Sequence, residues 1–300
     1  MEEIFRRKIS HKLLISIVII NFTGMILGGT NTKNYSKTEI ANVSIEKDRL
    51  QTIKEKGVIT VATPLYDYPF FYIDSETKKI SGIDADIINE IAKRMGVNKV
   101  DMRETVFSNL LEKLNTDDSI DMAAGGIYIT PKREEIVTFS EPLYKEAETV
   151  VVPKYSKINF MDDLKNSIVG VEKGTVFMEL AQNWKENNLV KEVVIFENTS
   201  DLLMEINNER IHAGLADGIV VDSLLSKDNK LLLRTLKDYT PELPGNIGIA
   251  VRKNDISIIK ELNEIINGMK ADGTLYTIIK EYGLDKNNMI SNQKCCASEE

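Results

Sequence analysis

The sequence predicts an α/β fold built as two successive units, and three observations carry that expectation. Short apolar runs alternate with amphipathic stretches from Val58 onward, the pattern of strands alternating with helices. The alternation starts afresh after the β-rich run Glu148-Thr149-Val150-Val151-Val152-Pro153. And 300 residues, 42% of them hydrophobic, can bury a large core and are long enough for two lobes.

Taken in order, Val58-Ile59-Thr60-Val61-Ala62 reads as a buried strand. Asp84 to Arg94 reads as an amphipathic helix stopped by Gly96, and Lys99-Val100-Asp101-Met102-Arg103 as a second strand. Asn109 to Leu114 suggests a helix, and Met122-Ala123-Ala124 a short strand. In the second unit the strand Ile168-Val169-Gly170-Val171 meets Gly174-Thr175, and a helix then runs through Trp184. The strand Val193 to Phe196, a helix from Ser200 to Asn208, and the strand His212 to Ala216 ending at Asp217 follow. Asn246 to Val251 returns the chain to the first unit, which helices Ser257 to Met269 and Thr274 to Glu281 complete.

The N-terminus has its own signature. Arg6, Arg7, Lys8 and Lys12 precede an apolar run from Leu13 to Leu27, short for a membrane span but the right charge and length for a signal peptide. Gly28, Gly29 and Thr30 are small enough for signal peptidase, although Leu27 suits a cut after Gly29 poorly. A retained anchor is the other reading. Residues 31–47 are polar and aperiodic and read as a linker. A net charge of −8, with no basic run beyond the extreme N-terminus, argues against a nucleic-acid partner. The two cysteines, Cys295 and Cys296, stand side by side in a polar tail, where neighbours rarely form a good disulfide. With only His11 and His212, no Cys-His pair and no metal-ligand cluster, the catalytic toolkit is thin.

The most informative stretch is Gly125-Gly126-Ile127-Tyr128-Ile129-Thr130-Pro131-Lys132-Arg133. Thr130 is a good N-cap and Pro131 a good first helical residue, so Arg133 falls in a first helical turn. Free N–H groups and the helix dipole favour an anion there, so an arginine makes most sense with an anion beside it, such as a small carboxylate. A solvated Arg133 paired with Glu134 or Glu135 is the plainer alternative.

These residues resemble bacterial extracellular solute-binding protein family 3, the binding proteins of polar amino-acid ABC transporters. That family's signature continues with an apolar stretch and Phe-Ser-x-Pro-Tyr, matched here by Phe139-Ser140-Glu141-Pro142-Leu143-Tyr144. The resemblance also covers Gly57 to Thr63 with Tyr68-Pro69-Phe70, Gly82 to Ile87, Val169 to Thr175, Ala213 to Asp217, Gly248 to Asp255 and Lys270 to Leu275. It implies a two-lobed periplasmic-binding-protein-like (type II) fold, each lobe a mixed sheet flanked by helices, with a ligand cleft between. The expected layout is 1–30 signal peptide or anchor, 31–47 linker, 48–150 first lobe, 151–245 second lobe, 246–287 return, and 288–300 polar tail. The resemblance further implies an extracytoplasmic monomer that binds an amino acid for ABC permease subunits, with no cofactor and no metal. No cysteine stands near Gly28-Gly29, so a lipobox anchor is excluded.

An amino acid offers an α-carboxylate and an α-ammonium, and a site that excludes water must pair both. Arg133 is the candidate for the carboxylate through its bidentate fork, helped, as the resemblance implies, by backbone groups at Gly126 and Tyr128. Asp217 is the candidate for the ammonium; read alone it could equally be a surface Asp-Gly turn. Thr175, with Val176 after it, would act from the second lobe. Tyr66, Tyr68 and Phe70 would wall the side-chain pocket with Asp67 among them, leaving Phe71 and Tyr72 to the core. Three positions depart from the family pattern: Tyr128 where Thr, Ser or Asp is usual, Pro64 where Asp is often found, and Glu172 where an apolar or basic residue stands. A non-enzymatic binding module is the expectation. A cyclohexadienyl dehydratase-like enzyme, with Glu172 or Asp222 as acid, and a ligand-sensing module are the alternatives.

Overall fold

The computed structural model describes residues 48–227 and 230–290. The signal segment, the linker, Cys295 and Cys296 lie outside them. Helix α1 (Arg49–Lys56), which the sequence reading did not anticipate, is capped by the Asp48 carboxylate and closed by left-handed Gly57. It leads into strand β1 (Val58–Thr63), buried from Ile59 onward, as an unbroken apolar run covered on both faces should be. Then come the hairpin β2 (Tyr72–Ile73) and β3 (Ile80–Ser81), helix α2 (Ile83–Met95), β4 (Lys99–Glu104), α3 (Leu110–Thr116) and β5 (Met122–Ala123). The one-turn helix α4 (Pro131–Glu134), β6 (Thr138–Phe139) and β7 (Tyr144–Glu146) end the first pass.

The second lobe runs β8 (Glu148–Pro153), β9 (Ile168–Glu172), α5 (Val176–Glu186), β10 (Glu192–Phe196), α6 (Thr199–Asn207), β11 (Ala213–Asp217), α7 (Gly218–Lys227) and β12 (Leu233–Thr235). The chain returns through β13 (Gly245–Ile247) and β14 (Ala250–Val251) to α8 (Ile256–Ala271) and α9 (Thr274–Glu281).

The two lobes repeat one plan. The first sheet has the order β4-β1-β5-β14-β6, its first three strands parallel and the rest antiparallel. The second has the order β10-β9-β11-β8-β12, again with three parallel strands followed by antiparallel ones. Each is packed on both faces: Leu110, Leu114 and Val137 cover one side of the first sheet, and Ile87, Ile91 and Leu262 the other. Leu202 and Ile206 pack against Val151 in the second lobe, with Phe177 and Trp184 on the opposite side.

Strand β8, which the expected boundary at residue 150 divides between the lobes, pairs wholly within the second sheet. The crossing is a separate antiparallel ladder of β7 with β13, Glu146 opposite Gly245 and Tyr144 opposite Ile247. Asn288, where the sequence reading began the tail, is tied by its side chain and its carbonyl to Lys145 on that ladder. Among the described residues no helix is long and apolar enough to cross a membrane.

Candidate ligand-binding cleft

The parallel strands of both sheets aim their carboxyl ends at the same gap, where α/β sheets place ligands. From the first lobe, β5 runs into Gly125-Gly126 and the turn that carries Arg133. Thr130, in extended conformation, accepts the Arg133 N–H at 3.2 Å, and Pro131 starts the turn. That single turn directs Arg133 across the gap. Its Nη1 donates to the Tyr128 carbonyl at 2.8 Å and its Nη2 to the Gly174 carbonyl of the second lobe at 3.0 Å. The guanidinium lies 5.6 Å from the centre of the Phe107 ring. Burial pulls its pKa down, opposed by the negative charge of Asp217 and Glu179.

Asp217 ends β11 from the other side. Among the described residues its Oδ1 and the Tyr128 hydroxyl are both buried without a full hydrogen bond, although they lie close enough to each other for the hydroxyl to draw the Asp217 pKa down. Burial, Glu146 and Glu172 hold the Asp217 carboxyl well above the usual carboxylate range, with Tyr128 and Arg133 acting the other way. Tyr128 itself is 5% exposed. Its ring meets Phe177 edge-on at 5.6 Å and lies against Gly245, where a β-carbon would come within 2.4 Å of it. Only a glycine on β13 leaves room for a ring in place of the small side chain usual at this position.

Two more carboxylates face the gap. Glu172, at the end of β9, is 7% exposed and accepts the Thr199 hydroxyl at 2.5 Å. Burial pushes its carboxyl up to about 7. Asp67, from the loop after β1, is raised well above the usual range by burial, with Glu172, Asp217 and Asp84 adding to it. Phe70 is buried, its ring 2.7 Å from where a β-carbon on Gly126 would lie, and the φ of +62° at Gly126 is a second reason for glycine there. Tyr66 is 67% exposed and stands at the rim. The Thr175 hydroxyl turns back to the Glu172 carbonyl at 2.7 Å. Val176 opens α5 and, with Thr175 and Arg133, lines a cavity of about 820 Å³ on one flank of the lobe contact.

Residues 59–285 match the family described as bacterial extracellular solute-binding proteins, family 3. The chain belongs to this family. L-cystine-binding protein TcyA of Bacillus subtilis (strain 168) is 28% identical over 273 residues, which is 90% of this chain and 96% of that protein. A mutant of ArgBP from T. maritima has a TM-score of 0.69 at 27% identity, covering 78% of this chain and 98% of that one. AncCDT-1, described as an ancestral amino acid-binding protein and a precursor of cyclohexadienyl dehydratase, has a TM-score of 0.68 at 28% identity, covering 78% and 98%. The two-lobed architecture is thus the type II periplasmic binding fold of family 3, and the relatives are binding proteins.

Within that family frame the structure adds residues that sequence reasoning passed over. Asp84 is 1% exposed in the first turn of α2, takes the Gly126 N–H at 2.9 Å on one oxygen and the Tyr144 hydroxyl at 2.8 Å on the other. The Gly126 N–H, expected to help hold a ligand, is therefore engaged within the protein. An acidic residue inside the apolar run Gly82-Ile83-Asp84-Ala85 was the available signal. Phe107 and Thr199 carried none beyond their places just after β4 and at the start of α6. Tyr72, assigned to the core, is half-buried; its ring lies 5.0 Å from Tyr68, and the Lys227 ammonium sits 4.1 Å from the Tyr68 centroid.

Proposed function

We propose that this chain captures an amino acid between its lobes and presents it to the membrane permease of an ABC importer. The observation that carries this reading is the opposition of a half-buried Arg133 to a buried Asp217 oxygen and Tyr128 hydroxyl that, among the described residues, make no full hydrogen bond. A zwitterion suits them: its α-carboxylate takes the N–H groups that Arg133 does not spend on the Tyr128 and Gly174 carbonyls, and its α-ammonium donates to Asp217 and the Tyr128 hydroxyl oxygen. Thr175 and the backbone around Tyr128 frame the carboxylate, and Asp67, Glu172, Tyr66, Phe70 and Val176 surround the rest of the ligand. The first lobe, up to β7 and again after β13, and the second, from β8 to β12, hinge about the β7–β13 ladder. The protein acts as a monomer outside the cytoplasm, exported by its N-terminal segment and without a lipobox.

The relatives bind different solutes by name, arginine for ArgBP and L-cystine for TcyA, so the amino acid does not transfer from them. The enzymatic alternative rests on Glu172, whose carboxyl near 7 is in the range of a general acid, and on the likeness to AncCDT-1. Asp222, the other acid considered, is exposed on α7. We favour binding without catalysis because Glu172 faces Asp67 and Asp217 rather than an arranged proton relay.

Calorimetry with the twenty amino acids tests the reading. One or a few should bind, Arg133→Ala should abolish the heat while the circular dichroism spectrum is unchanged, and Asp217→Asn should weaken binding by at least about tenfold. Binding untouched by both substitutions would overturn the site. Turnover of prephenate with loss of water would overturn the non-enzymatic reading.

A further inference from the structure

We infer that the cleft selects amino acids with a cationic side chain, gripped by Asp67 and Glu172 in an acidic cavity behind the α-ammonium site. The inference rests on the amino-acid reading above and names its ligand class from charge and geometry. Beside Asp67 and Glu172, on the flank away from Val176, lies a cavity of about 370 Å³ bounded by Pro64, Tyr66 and Phe107 from the first lobe and Thr199 from the second. Among the described residues its lining carries five carboxylates, Asp67, Glu104, Glu172, Glu197 and Asp201, and no lysine or arginine. Lys173 pairs with Glu197, and Asn198 donates to Asp201, so those two outer carboxylates have partners. Asp67 and Glu172 are the inner pair.

A charge count decides what the cavity takes. A bound zwitterion brings one negative group for Arg133 and one positive group for Asp217. Asp67 and Glu172 then face each other across the ligand's side chain with no cation between them. A neutral side chain leaves two close buried carboxylates to be neutralised by protons. A guanidinium or ammonium there converts mutual repulsion into two charge-assisted hydrogen bonds.

The independent sign that the cleft beside this cavity is built around a ligand is the Tyr128 hydroxyl, on a residue 5% exposed, and Asp217 Oδ1, which among the described residues make no full hydrogen bond. The Asp217 carboxylate lies close enough to Asp67 and Glu172 to feel their charge. A metal ion does not fit: among the described residues no group of three His, Cys, Asp or Glu side chains is placed to hold one. Tyr66 and Phe107 supply aromatic faces along which the stem and the planar head of an arginine can lie. A cystine would bring a second carboxylate along with its second ammonium into the same acidic lining, so part of the charge gained there would be offset.

The test is competition calorimetry on the full chain with L-arginine, L-lysine, L-glutamine and L-cystine, for the wild type, Glu172→Gln and Asp67→Asn. The wild type should bind arginine or lysine at least about tenfold more tightly than glutamine or cystine. Either substitution should reduce that preference about tenfold or more, by weakening the cationic ligand more than glutamine. A wild type that prefers glutamine or cystine, or a preference unchanged in both variants, overturns the inference while the amino-acid reading stands. If no amino acid binds, both fall together. Retained glutamine binding in a variant shows that its cleft is folded, so loss of arginine binding there reads as loss of the grip.

Discussion

Tyr128 shows how much one residue can carry. The buried Tyr128 hydroxyl, set beside Asp217 without a full hydrogen bond, destabilises the free protein by at most about 1–3 kcal/mol, so Tyr128→Phe should raise its melting temperature slightly. If that hydroxyl instead finds its partner on the bound ligand, the same substitution should lower affinity. Opposite signs in melting and in calorimetry are the expected outcome, and a variant both less stable and equally tight would contradict it. Glu172 adds a pH dependence: its carboxyl stands near 7 in the free protein, and a cationic side chain favours the ionised form. Affinity for arginine should therefore fall as pH drops from 8 to 6, with proton release on binding, and Glu172→Gln should flatten the profile. Sequence alone flagged Tyr128, Glu172 and Pro64 as departures from the family pattern. It could not show that Gly245, 117 positions later, makes room for the tyrosine ring, because that contact exists only once β13 pairs with β7.

Among the elements, the long periodic ones were legible: β1, α2, β9, α5 and α8 lie where apolar period and capping residues put them. The strands β6, β7, β13 and β14 are two or three residues long, too short for alternation to register. Helix α7 was missed because Asp217-Gly218 reads locally as a turn. What starts it is remote: Glu146 on β7 accepts the Ile219 N–H at 3.0 Å. The Gly174 turn before α5 yields a prediction of its own. Gly174 has φ +80° and sits against the first lobe, where an added β-carbon would lie 2.8 Å from Ser108 Cα. The backbone strain acts whether the lobes are open or shut and costs about 1–2 kcal/mol. The clash acts only when they meet. Gly174→Ala should thus lower stability slightly but weaken ligand binding by more than about tenfold, and an affinity unchanged within twofold would show that the lobes need not approach this closely.

For the whole molecule, contacts on both sides of the cleft hold the lobes together: Lys227 over Tyr68 and Tyr72 on one side, the Lys132–Glu179 ion pair on the other. Beneath them the acidic core of the cleft works against folding. Glu146 and Glu172 are each pushed from 4.5 to about 7, chiefly by burial. Between those two values the folded chain holds more protons than the unfolded one, so the stability of the free protein falls as pH rises through this window and levels off above it. A shift of this size corresponds to at most about 3 kcal/mol per group, reduced by local relaxation. At about 2–4 °C per kcal/mol for a chain of this size, the melting temperature of the free protein should be several degrees higher at pH 5 than at pH 8. The strongly lowered carboxyls, Asp117 held down by Lys113 and Ser119 and Asp272 by Thr274 and Arg94, are exposed and act only at more acid pH, outside this range. Saturating cationic amino acid should reverse the trend, because it binds most tightly where Glu172 is ionised and stabilises the fold by mass action. Scanning calorimetry at pH 5, 6, 7 and 8, with and without ligand, reads both slopes. A free protein that melts lower at pH 5 would mean that these two carboxylates find partners inside the closed cleft and that its charge is already balanced before a ligand arrives.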